Sequence, residues 1–473
     1  MVKNHRRRFG NVACLCLVIA GVAAAQEKRG ARPPNFVLLF IDDLGYGDVG
    51  PFGSKLTKTP NLDAMAAQGL KLTSFYAAPV CSPSRASLMT GCYPKRVGIP
   101  RVLFPVENIG INAAEHTLPE LLKERGYATM CIGKWHLGDQ DEFLPTRHGF
   151  DHYFGLPYSN DMTPERAGEA AAGKNGKKNA NTGRISKYPP LTLIRDETPI
   201  QVIKLPDQDR LVEMYTDEAV TFLREQKDRH SDKPFFLYLA HNAVHAPHHP
   251  GAKWRGHSGH GVYNDWVEEV DWSCGKVLDT IRELGLSDDT LVLFTSDNGG
   301  TRSASNAPLR GFKASTWEGG MREPTIALWP GKVPAGAACD AVLSEIDILP
   351  TFVKLAGGQV PTDRKIDGTD IWPILSGQSK KSPHEAFFYF NVNNLEAVRS
   401  GEWKLKLPGT LYNLDKDIGE TTDVAKDHPD VVKRLQGYAS AMDGDLGEHD
   451  AGPGCRPPGK VEHPKPLKVA PSK

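Results

Sequence analysis

Four apolar runs of strand length stand out along the chain, at 36–41, 127–132, 234–240 and 290–295. They are continuous rather than alternating, which is the pattern of strands buried on both faces. Between them lie segments with helical periodicity and helix punctuation. One covers 62–68, with Pro60 near its start and Gly69 after its end. Another covers 118–125, opened by the capping-box sequence Thr117-Leu118-Pro119-Glu120 and closed by Gly126. Two more cover 211–225 and 266–284. Buried strands alternating with helices predict an α/β domain: a mixed, mainly parallel sheet sandwiched by helices. Beyond 376 the alternation gives way to short β-like pieces at 386–390, 397–399, 403–407 and 411–413, and then a helix near 431–442. These predict a smaller C-terminal α+β subdomain with an antiparallel sheet.

The two ends read differently. Lys3, Arg6, Arg7 and Arg8 precede an apolar stretch over 12–22 that closes on Ala23-Ala24-Ala25. A basic start, a short apolar segment and small residues are the anatomy of a cleaved signal peptide at 1–25. The run is short of the ~20 apolar residues that span a bilayer, so the expectation is a secreted or periplasmic protein without stable membrane insertion. The predicted organisation continues with a linker at 26–34, a catalytic domain at 35–375, the C-terminal subdomain at 376–450 and a Pro/Lys-rich tail at 451–473 expected to be disordered. The low-complexity stretch 167–184 reads as a loop.

Composition narrows the function. The chain has 473 residues, 40% hydrophobic and 24% charged, as in ordinary globular proteins. Its 57 basic and 57 acidic residues cancel, which removes the electrostatic case for a nucleic-acid partner. Six of eight cysteines follow the leader, widely scattered and without C-x-x-C spacing. That is neither a disulfide scaffold nor a zinc site, and one or two bridges stay open.

Candidate chemistry gathers at strand ends. Asp42 and Asp43 follow the first run, and Asp297 and Asn298 follow the fourth. In open α/β sheets ligands bind beyond the carboxyl ends of strands. Three carboxylates and an amide brought together there would select a hard cation, Ca²⁺ or Mg²⁺; either pair alone is equally an ordinary turn or helix cap. Pro83 suits a first helical turn, so a short helix should run toward Gly91. Cys81 then sits at the N-terminus of that helix, where a thiol is expected to have a lowered pKa. A buried structural cysteine is the alternative.

The segment 81–91, C-S-P-S-R followed by A-S-L-M-T-G, resembles the signature of the formylglycine-dependent sulfatases, a family of the alkaline phosphatase superfamily. Further motifs follow in order: Gly91, Tyr93, Pro94, Arg96 and Gly98 of G-x-Y-P-x-R-x-G; G-K-W-H-L-G at 133–138; A-V-H-A-P at 243–247; S-D-N-G-G at 296–300; and G-x-K-x-x-x-x-E-G-G at 311–320. The likeness is to the arylsulfatase A-like branch. It implies an alkaline-phosphatase-like fold and oxidation of Cys81 to Cα-formylglycine by a maturase. One hydroxyl of the hydrated aldehyde attacks sulfur. The other loses its proton and expels sulfate from a formylglycine-sulfate intermediate. By the same resemblance Asp42, Asp43, Cys81, Asp297 and Asn298 would hold calcium, in preference to magnesium. Arg85 would pair with the hydrate or the metal-site carboxylates. Lys134 and Lys313 would bind sulfate, His136 would take the proton during sulfate release, and His245 would protonate the leaving alcohol. Ser159 would line the pocket, and Glu318 and Arg322 would buttress the loop around Gly319-Gly320. His241, His248 and His249 lack zinc-spaced partners and read as surface or supporting histidines. The expected function is hydrolysis of a sulfated small molecule or polysaccharide. The alternatives are a phosphonate monoester or phosphodiester hydrolase, and a non-catalytic glycan-binding homologue.

Overall fold

The first apolar run becomes strand β1 (Asn35–Ile41), and its side chains divide by parity. Phe36, Leu38 and Phe40 enter one apolar layer; Val37, Leu39 and Ile41 enter the other. This is why the run is continuously apolar: successive side chains point to opposite faces, and both faces are covered. The computed structural model describes residues 1–2, 32–166, 185–230 and 232–469. The expected signal peptide, apart from its first two residues, and the low-complexity stretch 167–184 lie outside the described residues. All the strands and helices among the described residues belong to the unit that begins at Pro34.

The remaining strands of the large sheet, in chain order, begin with β2 (Leu70–Tyr76), while β3 (Ile109–Gly110) pairs elsewhere. Then come β4 (Ala128–Lys134), β5 (His152–Leu156), β6 (Thr192–Arg195), β7 (Thr198–Val202), β8 (Phe235–Ala240), β9 (Thr290–Ser296), β10 (Arg322–Leu328), β11 (Ala337–Cys339) and β12 (Leu343–Ser344). Their order is β11-β2-β10-β9-β1-β8-β4-β5-β6-β7, with β12 beside β2. The centre, β9-β1-β8-β4-β5, is parallel. β10 runs antiparallel between β9 and β2, and β6 and β7 close the far edge antiparallel. The mixed, mainly parallel sheet expected from the sequence is the sheet observed.

Helices α1 (Pro60–Gln68), α4 (Leu211–Arg229) and α5 (Val262–Glu283) cover one face. Helices α2 (Cys81–Thr90), α3 (Leu118–Lys123) and α7 (Ile348–Leu355) cover the other, and α6 (Glu318–Met321) is a single turn before β10. Gly91 ends α2 with φ +67°, a left-handed cap that glycine adopts without a Cβ penalty. On the second face Phe352 stacks on Phe36 with ring centroids 4.1 Å apart.

The C-terminal part forms its own antiparallel sheet, β13 (Phe387–Asn391), β14 (Asn394–Ser400), β15 (Trp403–Lys406) and β16 (Thr410–Asn413). A long final helix, Pro429–Leu446, packs on it through Val431, Leu435 and Ala439. The Pro/Lys-rich tail departs from its expected disorder. It is described to Val469, and a short strand β17 (Gly459–Lys460) pairs with β3. Composition misjudged it because the segment is held by contacts to the body: Arg456 pairs with Glu115 at 2.7 Å, and the Lys465 amide donates to Gln140. The six cysteines among the described residues are all free thiols.

Candidate active site

Four parallel strands deliver their carboxyl ends to one place. In the register of β1 and β9, Ile41 faces Ser296, so Asp42 and Asp297 emerge side by side. The Asp297 amide donates to the Ile41 carbonyl at 2.9 Å. On the other side of β1, the Asp42 amide donates to Ala243 and the Val244 amide to Asp42, which draws in the loop after β8 that carries His245. β4 ends on Lys134. Above these ends stands α2, whose first residue is Cys81 and whose next turn presents Arg85 on the same face.

The resulting cluster is dense. Lys134 Nζ lies 2.5 Å from Asp42 Oδ2, and Lys313 Nζ lies 2.5 Å from Asp43 Oδ1 and 3.3 Å from Cys81 Sγ. Cys81 Sγ is 3.7 Å from Asp42 Oδ1. Arg85 donates to Asp297 at 2.9 Å and to the Lys134 carbonyl at 2.5 Å. Asn298 Nδ2 donates to Asp43 at 2.7 Å. Ser159 Oγ sits 3.4 Å from both Lys134 Nζ and His245 Nδ1, and His245 Nε2 is 3.7 Å from Asp43. Asp43 (φ +63°), His136 (φ +64°) and Ala314 (φ +66°) hold left-handed backbone, a conformation that surrounding structure must enforce.

Two sequence readings are corrected. Strand alternation alone would point Lys134 and His136 the same way. But β4 ends at Lys134, and the left-handed backbone at His136 breaks the period. Its Nε2 faces the Leu103 carbonyl at 3.0 Å, and Nδ1 is buried without a partner. His136 remains in the field of the cluster: burial, then Lys134 and Arg85, push its pKa well below the usual imidazole value. The second correction is the thiol. Burial pushes Cys81 up to about 12, and Lys134 and Lys313 offset only part of that. A helix N-terminus does not make a thiolate where water is excluded this completely.

The carboxylates divide their roles. Burial alone would raise Asp42, but Lys134, His245, Arg85 and Lys313 hold it well below the carboxylate range. Burial and the neighbouring Asp42 push Asp297 up to about 7, against Arg85. Asp42, Asp43, Cys81 and His245 each offer a ligand atom, all within 4.8 Å of one another. Asn298 Oδ1, a buried oxygen of the kind a hard cation takes, has no hydrogen-bond partner among the described residues. The oxygen-rich donor set therefore fits a metal ion. Three cationic side chains already balance the three carboxylates, so a divalent ion would leave the pocket net positive and suited to an anionic ester.

Some supporting residues carried no sequence signal. Asp48 accepts from the Gly45 and Ser305 amides and from Tyr263 Oη at 2.5 Å, fixing the loop after Asp43. Glu345 accepts from the Ala78 amide and from Ser84 Oγ at 2.6 Å, steadying the start of α2. Glu318, expected as a buttress, receives Tyr76 Oη at 2.5 Å, Tyr389 Oη at 2.9 Å, Arg322 at 3.2 Å and Lys404 Nζ at 2.9 Å. It thereby joins the loop after Lys313 to the C-terminal sheet. Of the other histidines, His241 is fully buried against Ser273, and His249 pairs with Asp209 at 2.9 Å.

A mainly parallel sheet with this carboxylate, amine and Cys81 cluster at its carboxyl edge is an alkaline-phosphatase-like architecture. A family model described as Sulfatase matches residues 34–358, and one described as N-sulphoglucosamine sulphohydrolase, C-terminal, matches 312–438. The chain belongs to the sulfatase family and is a sulfuric ester hydrolase. It is 41% identical to N-acetylgalactosamine-6-sulfatase of Mus musculus over 86% of this chain and 78% of that one. It is 38% identical to arylsulfatase A of Bos taurus, over 81% and 76%. Among solved structures it resembles Ps i-CgsB in complex with k-i-k-neocarrahexaose, with a TM-score of 0.76 and 31% identity over 87% of this chain and 93% of that one. No helix among the described residues is long and apolar enough to cross a membrane.

Proposed function

We propose that the protein releases sulfate from a sulfated carbohydrate, with position 81 acting as formylglycine and calcium held by Asp42, Asp43, Asp297 and Asn298. The observation that carries this reading is the setting of Cys81: the first residue of a helix, 3.7 Å from Asp42 Oδ1 and 3.3 Å from the Lys313 amine. As an aldehyde hydrate, position 81 supplies two hydroxyls on one carbon, one to attack sulfur and one whose deprotonation drives sulfate release. Held by these residues, the metal would supply Lewis-acid polarisation of the sulfate oxygens and would lower the pKa of the attacking hydroxyl.

The remaining work falls to this chain's side chains. Lys134 and Lys313, now turned onto carboxylates, are placed to turn onto sulfate oxygens once a cation takes those carboxylates. Arg85 locks Asp297 and the end of β4, so the ligands and Lys134 keep one geometry. His245, half-buried beside Ser159, has the exposure needed to reach a leaving oxygen and protonate it. His136 would take the proton at Nδ1, the ring nitrogen left without a hydrogen-bond partner among the described residues, while Nε2 faces the Leu103 carbonyl. Conversion of Cys81 requires a maturase in the producing cell, and the leader at 1–25 fits export to the periplasm or the medium.

The test is mass spectrometry of the tryptic peptide 72–85 from the native source. The expected result is aldehyde in place of thiol, together with turnover of 4-nitrophenyl sulfate well above that of the matching phosphodiester. Active enzyme carrying only unmodified cysteine would overturn the role of position 81. Preference for the phosphodiester would overturn the substrate class.

A further inference from the structure

The turn that carries Lys313 has a second side. Its backbone is pinned on both flanks: the Lys313 amide donates to Gly300 at 3.1 Å, the Ala314 amide to Pro79 at 2.8 Å, and Ser315 Oγ to the Phe312 carbonyl at 2.6 Å. Lys313 reaches inward to Cys81, while its neighbour Phe312 is 38% exposed. Phe312, Lys313, Ser315 and Trp317 line a cleft of about 470 Å³ that also takes in Thr301 and Arg302. The Arg302 guanidinium lies over the Phe312 ring, 5.4 Å from its centroid, and no carboxylate among the described residues pairs with it. By contrast Arg310, 3.7 Å over Trp317, is already held by the Glu420 carbonyl at 2.7 Å.

A large aromatic left half in water beside the reacting centre costs solvation without helping the core. An aromatic face is a flat apolar surface suited to the C–H face of a sugar ring, and a free guanidinium is suited to a carboxylate or sulfate. Lys313, whose amine touches Cys81, is one of the residues lining the cleft. We propose that it is a subsite for the sugar residue next to the sulfated one. Phe312 stacks on that ring, and Arg302 selects a ring bearing its own anionic group. The substrate class is then a sulfated oligosaccharide with a second negative charge on the neighbouring residue. This rests on the sulfatase reading and adds a specificity to it.

The experiment uses two disaccharides containing N-acetylgalactosamine 6-sulfate: one linked to glucuronate, and one with that carboxyl reduced to the alcohol. Both are titrated calorimetrically and as competitive inhibitors of 4-nitrophenyl sulfate hydrolysis. The wild type should bind the doubly charged ligand about tenfold more tightly, the value of one charge-assisted contact. R302Q should bring that ratio close to one, and F312A should weaken both ligands about equally. A variant that merely folds badly would weaken both ligands without moving the R302Q ratio. Equal affinities in the wild type, a preference that survives in R302Q, or wild-type binding by F312A would each overturn the proposal. Failure of converted protein to hydrolyse 4-nitrophenyl sulfate would instead fault the sulfatase reading, and the calorimetric ratio would still judge the cleft.

Discussion

Lys134 Nζ and Asp42 Oδ2 lie 2.5 Å apart with both side chains fully buried, so each neutralises the other where water cannot. In Lys134→Ala the nearest remaining cation to Asp42 is Arg85 at 3.6 Å. Leaving a buried charge without its partner costs about 3–5 kcal/mol, and losing a sulfate-binding donor lowers kcat by roughly 10²–10³. Calcium should restore part of the stability by taking over the carboxylate. Thermal unfolding of the variant in chelator and in calcium checks this; identical midpoints in the two would remove Asp42 from the metal site.

Cys81→Ser offers one hydroxyl where the aldehyde hydrate offers two. The serine hydroxyl should attack sulfur, release the alcohol and fail to pass the group on, giving no steady turnover and a protein heavier by one SO₃ unit. Intact-mass measurement after incubation with 4-nitrophenyl sulfate reads this directly. Sustained turnover by the serine enzyme would dismiss the need for a second hydroxyl.

Glu318 sits where two parts of the fold meet, and Lys404, itself fully buried, lies 2.9 Å from it and 2.8 Å from Glu420. Burial raises the Glu318 carboxyl, but Lys404, Arg322 and Arg399 outweigh it and hold the group ionised. Glu318→Gln keeps the shape and removes the charge, and should cost about 3 kcal/mol in denaturant unfolding. A loss below about 1 kcal/mol would mean that Glu420 alone satisfies Lys404.

His384 Nε2 lies 2.8 and 2.9 Å from the two oxygens of Asp347. Burial pulls its pKa down, but the Asp347 charge and hydrogen bond outweigh that and raise it above the usual 6.5. A raised folded-state pKa gives stability that is complete below the unfolded value and lost as pH climbs through the folded one. Unfolding free energy should therefore fall as pH rises above about 6.5 in the wild type, and His384→Gln should lose that component of the slope. An identical slope in the variant would assign the pH dependence elsewhere.

The parts of the fold visible in the sequence are those that one local rule decides. β1, β4, β8 and β9 are buried on both faces, so each is an unbroken apolar run. The strands missed are those with mixed signals. β10 begins Arg322-Glu323-Pro324 and pairs antiparallel only because tertiary neighbours accept it, and β2 alternates Lys and Ser with apolar residues at the sheet's flank. At the site, motif residues could be named because their order along the chain is distinctive. Their geometry could not. The direction of His136 depends on one left-handed residue, and the Cys81 thiol depends on how completely the pocket closes. Asp48 and Tyr263, 215 positions apart, form a pair that no local pattern announces.

The tail beyond 450 is woven into the G-x-Y-P-x-R-x-G segment. Arg96, fully buried, donates to the Gly454 carbonyl at 3.0 Å, and the Arg456 amide donates back to Arg96 at 2.6 Å. A Cβ at Gly98 would stand 2.5 Å from Pro458, so this close approach admits glycine alone. Anyone trimming the protein for expression or crystal growth at the apparent end of its last helix would unroof a guanidinium that the body was shaped to bury.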